Sequence, residues 1–241
     1  MSNSALPTWH HRYEPVITSP QKTYNDVAAE TFGPLDKYIP ANDNCAASGT
    51  HHAPPRPAFN ERLGDWMQTA SGRKFWPMDP QPHEVFIEDI AHSLSLQCRY
   101  AGHCHRFYSV GEHSVHLARH LRWQGVEVAL WALLHDASEA YLVDVPRPVK
   151  PYLPGYKEAE SRVMAAVCER FGLAADMPAV VHEADMRIIA DELMNMVPMD
   201  WHARYSDPLG VQIRCWYPAQ AEEEFLATFE ALMDCRARGM E

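Results

Sequence analysis

Beyond residue 110 the chain repeats one pattern: apolar residues spaced three and four apart, in segments 112–123, 126–141, 156–171, 178–196 and 219–238. That spacing lines one face of a helix with apolar side chains, and each such face must be buried against another. The separators hold Gly125, Gly172 and Gly239 together with Pro146, Pro148, Pro151, Pro154, Pro178, Pro208 and Pro218, residues that stop helices rather than continue them. The expected fold class is therefore all-α, a helical bundle of at least five helices. Upstream, Leu63, Trp66 and Met67 fit one more helical face, GRKFWPMDPQP reads as a turn-rich loop, and Val85 and Ile87 start a short strand-like stretch.

Residues 1–60 carry eight of the nineteen prolines, including PPRP at 54–57, and no sustained apolar period. They read as an extended or disordered Pro-rich tail, leaving residues 61–241 as one domain. With 46% apolar residues the chain has enough material for a buried core, yet no apolar run approaches the roughly 20 residues of a spanning helix. No membrane partner is expected. The start, MSNSALPTWHHRYEP, has neither a basic region nor an apolar stretch, so a cytoplasmic protein is the expectation.

A net charge of −11 opposes duplex nucleic acid, whose binding relies on Lys and Arg at phosphates, and leaves a small molecule as the expected partner. Six cysteines with no CxxC pair indicate no disulfide framework and no zinc ribbon, and most are expected to be buried as small apolar groups. Fourteen histidines direct attention to metal ligation and proton transfer.

The run Ala132-Leu133-Leu134-His135-Asp136-Ala137-Ser138-Glu139-Ala140 brings an apolar helix to three chemically active side chains within five residues. His135 and Asp136, about 100° apart around a helix, can lean toward one divalent ion, with Glu139 near the same pole. Such an ion accepts imidazole nitrogen and carboxylate oxygen together and needs further ligands from elsewhere in the chain. His113, opening the preceding segment in SVGEHS, and Asp185, inside a later one in HEAD, are the two candidates. The set His113, His135, Asp136 and Asp185 leaves positions free for water and a substrate oxygen, as catalysis requires, with Glu139 as the base.

The order His113, then adjacent His135-Asp136, then Asp185 resembles the HD-domain metal-dependent phosphohydrolases over roughly residues 70–200. The longer pattern GRKFWPMDPQP, EDIAHSLSLQCRYAGH, FYSVGEHS, LLHDASEAYLVDVPRPVK and EADMRI resembles the compact 5'-nucleotidases and phage-type dATP triphosphohydrolase-like members. The resemblance implies an HD-domain helical bundle and a divalent metal cofactor, Zn, Mn, Co or Mg. It also implies release of inorganic phosphate, pyrophosphate or triphosphate from a nucleotide, and symmetric assembly into a homo-oligomer as compact relatives commonly show. A dNTP triphosphohydrolase acting on dATP-like substrates is the first expectation, a 5'-nucleotidase acting on deoxynucleoside monophosphates the alternative, and a non-catalytic nucleotide sensor a third. An oxygenase of the same superfamily is disfavoured, because it needs added histidines where this chain offers only His182 between the doublet and Asp185.

By the same analogy the loop Asp144-Val145-Pro146-Arg147-Pro148-Val149-Lys150 lies over the phosphates. Asp144 joins Glu139 as a candidate catalytic acid or second-metal ligand, and Arg99, Arg147 and Lys150 are candidate phosphate contacts. Trp76 or Tyr100 can stack a base. Against these stand more ordinary expectations. Cys98, His103, Cys104 and His105 form a weak rival zinc cluster without a finger spacing, and His116 and His120 face outward. Trp123, Trp131, Phe171, Trp201, Trp216 and Phe225 serve packing.

Overall fold

The computed structural model describes residues 62–239; the extended tail expected for residues 1–60 lies outside the described residues. The described part is mostly helical. After a two-stranded antiparallel ribbon, β1 (Met67–Gln68) and β2 (Lys74–Phe75), come the helices α1 (Ile87–Leu96), α2 (Val110–Leu121), α3 (Val126–Leu134), the single turn α4 (Glu139–Leu142), α5 (Tyr156–Phe171), α6 (Ala179–Glu192) and α7 (Pro218–Ala237). No helix among the described residues is long and apolar enough to cross a membrane.

Helix α2 is the centre of the bundle and packs on α1, α3, α6 and α7. Its buried face runs through Val110, His113, Ser114, Leu117, Ala118 and Leu121, so one side of the helix carries both core and chemistry. Ser109 caps it, its hydroxyl accepting the Glu112 amide at 3.0 Å. Gly111 lies where α1 crosses closely: a Cβ there would stand 2.7 Å from Ser95 Oγ and 3.2 Å from the Ser95 amide nitrogen. Gly172 ends α5 in the left-handed conformation, φ 67°, that closes many helices.

The structure corrects the expectations at five places. Segment 126–141 is two helices, with His135 to Ser138 forming a tight turn between them. Its amides bond three residues back, Ala137 to Leu134 and Glu139 to Asp136, both at 2.9 Å. This tightening rotates the active side chains off a regular helical ladder. Leu63, Trp66 and Met67 form no helix; the first two are exposed and Met67 begins β1. The strand expected at Val85 and Ile87 is absent, because Ile87 opens α1, whose Ile90, Ala91 and Leu94 fill the core at helical spacing. Trp123, expected in the core, is 81% exposed with the Arg122 guanidinium over its ring, whereas Trp131 and Phe225 are buried. Among the described cysteines only Cys168 is buried.

Candidate metal centre

Three elements meet at the His135 turn. Helix α2 presents His113 from its first turn, α3 ends at His135-Asp136, and the middle of α6 supplies Asp185. His113 Nε2 lies 3.4 Å from His135 Nε2, 3.2 Å from Asp185 Oδ1 and 3.8 Å from Asp136 Oδ2. His135 Nε2 lies 3.1 Å from Asp136 Oδ2 and 3.9 Å from Asp185 Oδ1. One donor atom from each of His113, His135 and Asp185 falls within 4.8 Å of the others, the spacing of groups that share one ion.

The orientation of the two imidazoles is set from behind. His113 Nδ1–H donates to Glu192 Oε1 at 2.8 Å, and His135 Nδ1–H donates to the Ala132 carbonyl at 2.8 Å. Each ring therefore turns its Nε2 lone pair inward, and two lone pairs 3.4 Å apart repel unless a proton or a cation stands between them. Two imidazole nitrogens and the Asp185 carboxylate oxygen suit borderline divalent ions, so this donor set fits a metal.

Electrostatics agree with this arrangement. Burial opposes charge on His135, but Asp136 and Asp185 outweigh it and push the imidazole up to about 9. Asp136 is held down at about 2 against its own burial by His135 and His113, and Asp185 is held well below the carboxylate range by the same two rings. The centre thus keeps its carboxylates ionised and favours a proton on His135, in the place a shared cation would take. Glu139 behaves oppositely: burial, then Asp136 and Asp144, push its carboxyl up to about 8, with Lys150 pulling the other way.

Glu192, fully buried, escaped the sequence reading. Besides His113 it receives Arg99, with Nη2 at 3.3 Å from Oε2, and the Tyr100 hydroxyl. Against its burial, Arg99 and His113 hold its carboxyl at about 2. Glu192 stands seven residues after Asp185, on the same face of α6 two turns on, a spacing available in the sequence. Glu112, also fully buried, accepts the backbone amides of Arg214, Cys215 and Trp216 at 2.7, 2.9 and 2.6 Å and so fixes the segment before α7 beside His113.

The remaining expected residues divide into those brought to the centre and those that are not. Glu139 is buried next to the turn and is held by Lys150 Nζ at 3.2 Å, which also meets Glu160 at 2.9 Å. Asp144 is half-buried; its amide bonds Gln97 Oε1 at 2.9 Å, and burial raises its carboxyl above the usual range. Arg99 reaches Asp136 Oδ2 at 3.8 Å. Tyr100 points its hydroxyl at Glu192. Arg147 is exposed, near the Tyr205 hydroxyl and Met186. Trp76 has its ring under the Arg62 guanidinium at 4.3 Å. His116 does not face outward: it bonds Glu112 at 3.2 Å and stacks on Trp216, while His120 is exposed. Cys98 and Cys104 approach each other, but His103 and His105 are exposed, and the metal-capable group among the described residues is the one at His113.

A cavity of about 650 Å³ opens beside the centre. His135, Asp136 and Glu139 line one end, and Trp131, Met164 and Leu173 supply apolar wall. That volume suits a small organic ligand.

Fold and site define a mostly helical protein with a metal-capable His/His/Asp cluster at the junction of three helices. No family model matches the chain. It is 42% identical over 127 residues to "Uncharacterized protein YfdR" of Escherichia coli K12, an alignment covering 53% of this chain and 70% of that protein. It is 34% identical over 187 residues to "Uncharacterized protein RCAP_rcc00048" of Rhodobacter capsulatus, covering 70% of this chain and 95% of the relative. The chain belongs to the family these two proteins represent.

Proposed function

We propose that this protein is a divalent-metal-dependent phosphohydrolase of the HD type that cleaves a nucleotide phosphoester. The observation that carries the reading is the pair of inward-facing Nε2 atoms of His113 and His135, flanked by two ionised aspartates and open to a cavity. His113, His135, Asp136 and Asp185 would hold the ion. A bound divalent ion supplies Lewis acidity toward a phosphoryl oxygen and makes water more acidic. Glu139, buried one turn beyond Asp136, takes the proton from the attacking water, and Lys150 keeps its carboxylate aimed. Asp144 adds a second carboxylate facing the same charge, and Arg99 neutralises the acidic side of the centre.

A dNTP triphosphohydrolase and a 5'-nucleotidase break the same bond, between the sugar oxygen and the first phosphorus. The monophosphate reading gains from one specific observation. Lys150 is engaged by Glu139 and Glu160, and Arg99 by Glu192 and Asp136, so neither cation is free to follow a triphosphate tail.

The test is a panel of ribo- and deoxyribonucleoside mono- and triphosphates with Mn, Co, Zn or Mg, resolving orthophosphate from triphosphate. Orthophosphate from monophosphates gives the nucleotidase, intact triphosphate from dATP gives the triphosphohydrolase, and nucleotide binding without any product returns the sensor. Asp136→Ala should lose bound metal and turnover together, whereas Glu139→Ala should keep metal and lose most of kcat. Full activity in either variant rejects the assignment.

A further inference from the structure

Cys98 and Cys104 flank the short turn that carries Arg99 and Tyr100, and their sulfurs stand 3.6 Å apart. Five residues separate them in sequence. Within that turn Tyr100 and Ala101 both take positive φ, 57° and 51°, a region that costs a non-glycine residue about 1–2 kcal/mol. The turn is held by backbone pairing of Cys98 with Ser109, by the Arg99 amide on the Tyr108 carbonyl at 2.9 Å and by the His103 amide on the Tyr100 carbonyl at 2.9 Å. Beyond these, it is held by the grip of Arg99 and Tyr100 on Glu192. Both thiols are half-buried, so a small reagent can reach them.

We propose that Cys98 and Cys104 form a reversible disulfide that clips this turn shut, with a low-molecular-weight disulfide as the oxidant. In the first step one cysteine thiolate attacks the small disulfide, forming a mixed disulfide and expelling one small thiolate. The second cysteine thiolate then attacks the protein sulfur of the mixed disulfide and expels the other. Two protein S–H bonds are lost and one S–S bond forms; the oxidant takes up two electrons and, with the two protons released, leaves as two thiols. The sulfurs need to close by about 1.5 Å to reach bonding distance, within the reach of side-chain rotation and a small backbone adjustment. Burial and the neighbouring Cys98 push the Cys104 thiol up to about 11, which slows its attack.

The bridge would narrow the states in which Tyr100 and Ala101 relax out of their strained conformation, and so keep Arg99 and Tyr100 on Glu192 and Glu192 on His113. This inference stands apart from the proposed catalysis, since its readouts are thiol chemistry and backbone opening.

The test equilibrates the full chain in glutathione buffers from fully reduced to fully oxidised, traps free thiols by alkylation and maps peptides by mass spectrometry. The expected product is a Cys98–Cys104 link lighter by two hydrogens, absent from Cys104→Ser and from Cys98→Ser. Amide hydrogen exchange at residues 99–103 should slow by about tenfold or more in the oxidised chain and not in either variant. Both thiols remaining free to alkylation in excess oxidised glutathione would overturn the proposal, as would a glutathione adduct on Cys98 that never resolves onto Cys104. Equal protection of the turn in Cys104→Ser would do the same.

Discussion

Replacing Glu192 by alanine removes a carboxylate that touches Arg99, Tyr100 and His113 at once. The side chain is fully buried, so water does not take its place at the start. Arg99 is then left with Asp136 at 3.8 Å as its remaining carboxylate, and His113 Nδ1–H has no acceptor. Breaking a buried ion pair from one side costs about 3–5 kcal/mol, because an uncompensated charge stays behind. For a domain of this size each kcal/mol moves Tm by about 2–4 °C, so Glu192→Ala should melt about 6–20 °C below the parent protein. Glu192→Gln keeps an oxygen for His113 Nδ1–H but not the charge that Arg99 needs, and should fall between the two. The assay is a thermal melt by circular dichroism, run once with excess Mn and once with chelator. If Glu192 also orients His113, metal affinity in Glu192→Gln should drop about 10–100-fold, which a competition titration reads. A Glu192→Ala protein melting within about 2 °C of the parent, with unchanged metal affinity, would refute the reasoning.

Three further outcomes are expected. Glu112→Gln leaves three inward backbone amides to share one neutral oxygen, and should cost about 2–5 kcal/mol with loss of exchange protection at the amides of residues 214–216; unchanged protection there would reject the anchoring role. Gly111→Ala places a methyl against Ser95 and should cost about 1–3 kcal/mol in urea unfolding, part of it recovered in the double variant with Ser95→Ala, which removes the hydroxyl at 2.7 Å. Glu127, whose carboxyl is lowered from 4.5 by its hydrogen bonds to Arg236, contributes stability above its unfolded pKa that disappears as pH falls through the lower folded value. In Glu127→Gln the decline of stability from pH 5 downward should therefore be shallower, and an unaltered acid limb would count against the pair.

What the sequence made legible follows from what kind of signal each feature leaves. The helices α2, α5, α6 and α7 were readable because amphipathic periodicity persists over three or more turns and glycine or proline stands at their ends. Helix α1 was not, although Ile87, Ile90, Ala91 and Leu94 have helical spacing, because the β-branched and aromatic residues of VFIEDI present a strand-like composition over its first turn. The His135 turn reads as continuous helix in the sequence, since His135 and Ser138 keep helical backbone angles while the hydrogen bonds shorten by one residue. The four expected ligands come together, yet the residues that aim and neutralise them are less visible in one dimension. A lone glutamate in a helix, such as Glu192, looks like a solvated charge until the fold closes over it. The same holds for cations: Lys150 and Arg99 read as candidate phosphate contacts in the sequence, and the carboxylates they pair with, Glu139 and Glu192, appear only in three dimensions.

The segment gripped by Glu112 bears on how short a working piece of this chain can be. All four expected ligands lie between residues 113 and 185, which invites a minimal fragment ending after α6. Such a fragment would leave the Glu112 carboxylate, one residue from His113, without the three amides that receive it. It would also strip away Phe225 and uncover the sides of α1, α2 and α3 that α7 covers. The smallest autonomous unit that keeps the His113, His135 and Asp185 cluster in place must therefore extend through α7, although that helix contributes none of the three. Linkers, tags and split-protein junctions belong beyond residue 237 and not in the strap between Ile213 and Tyr217.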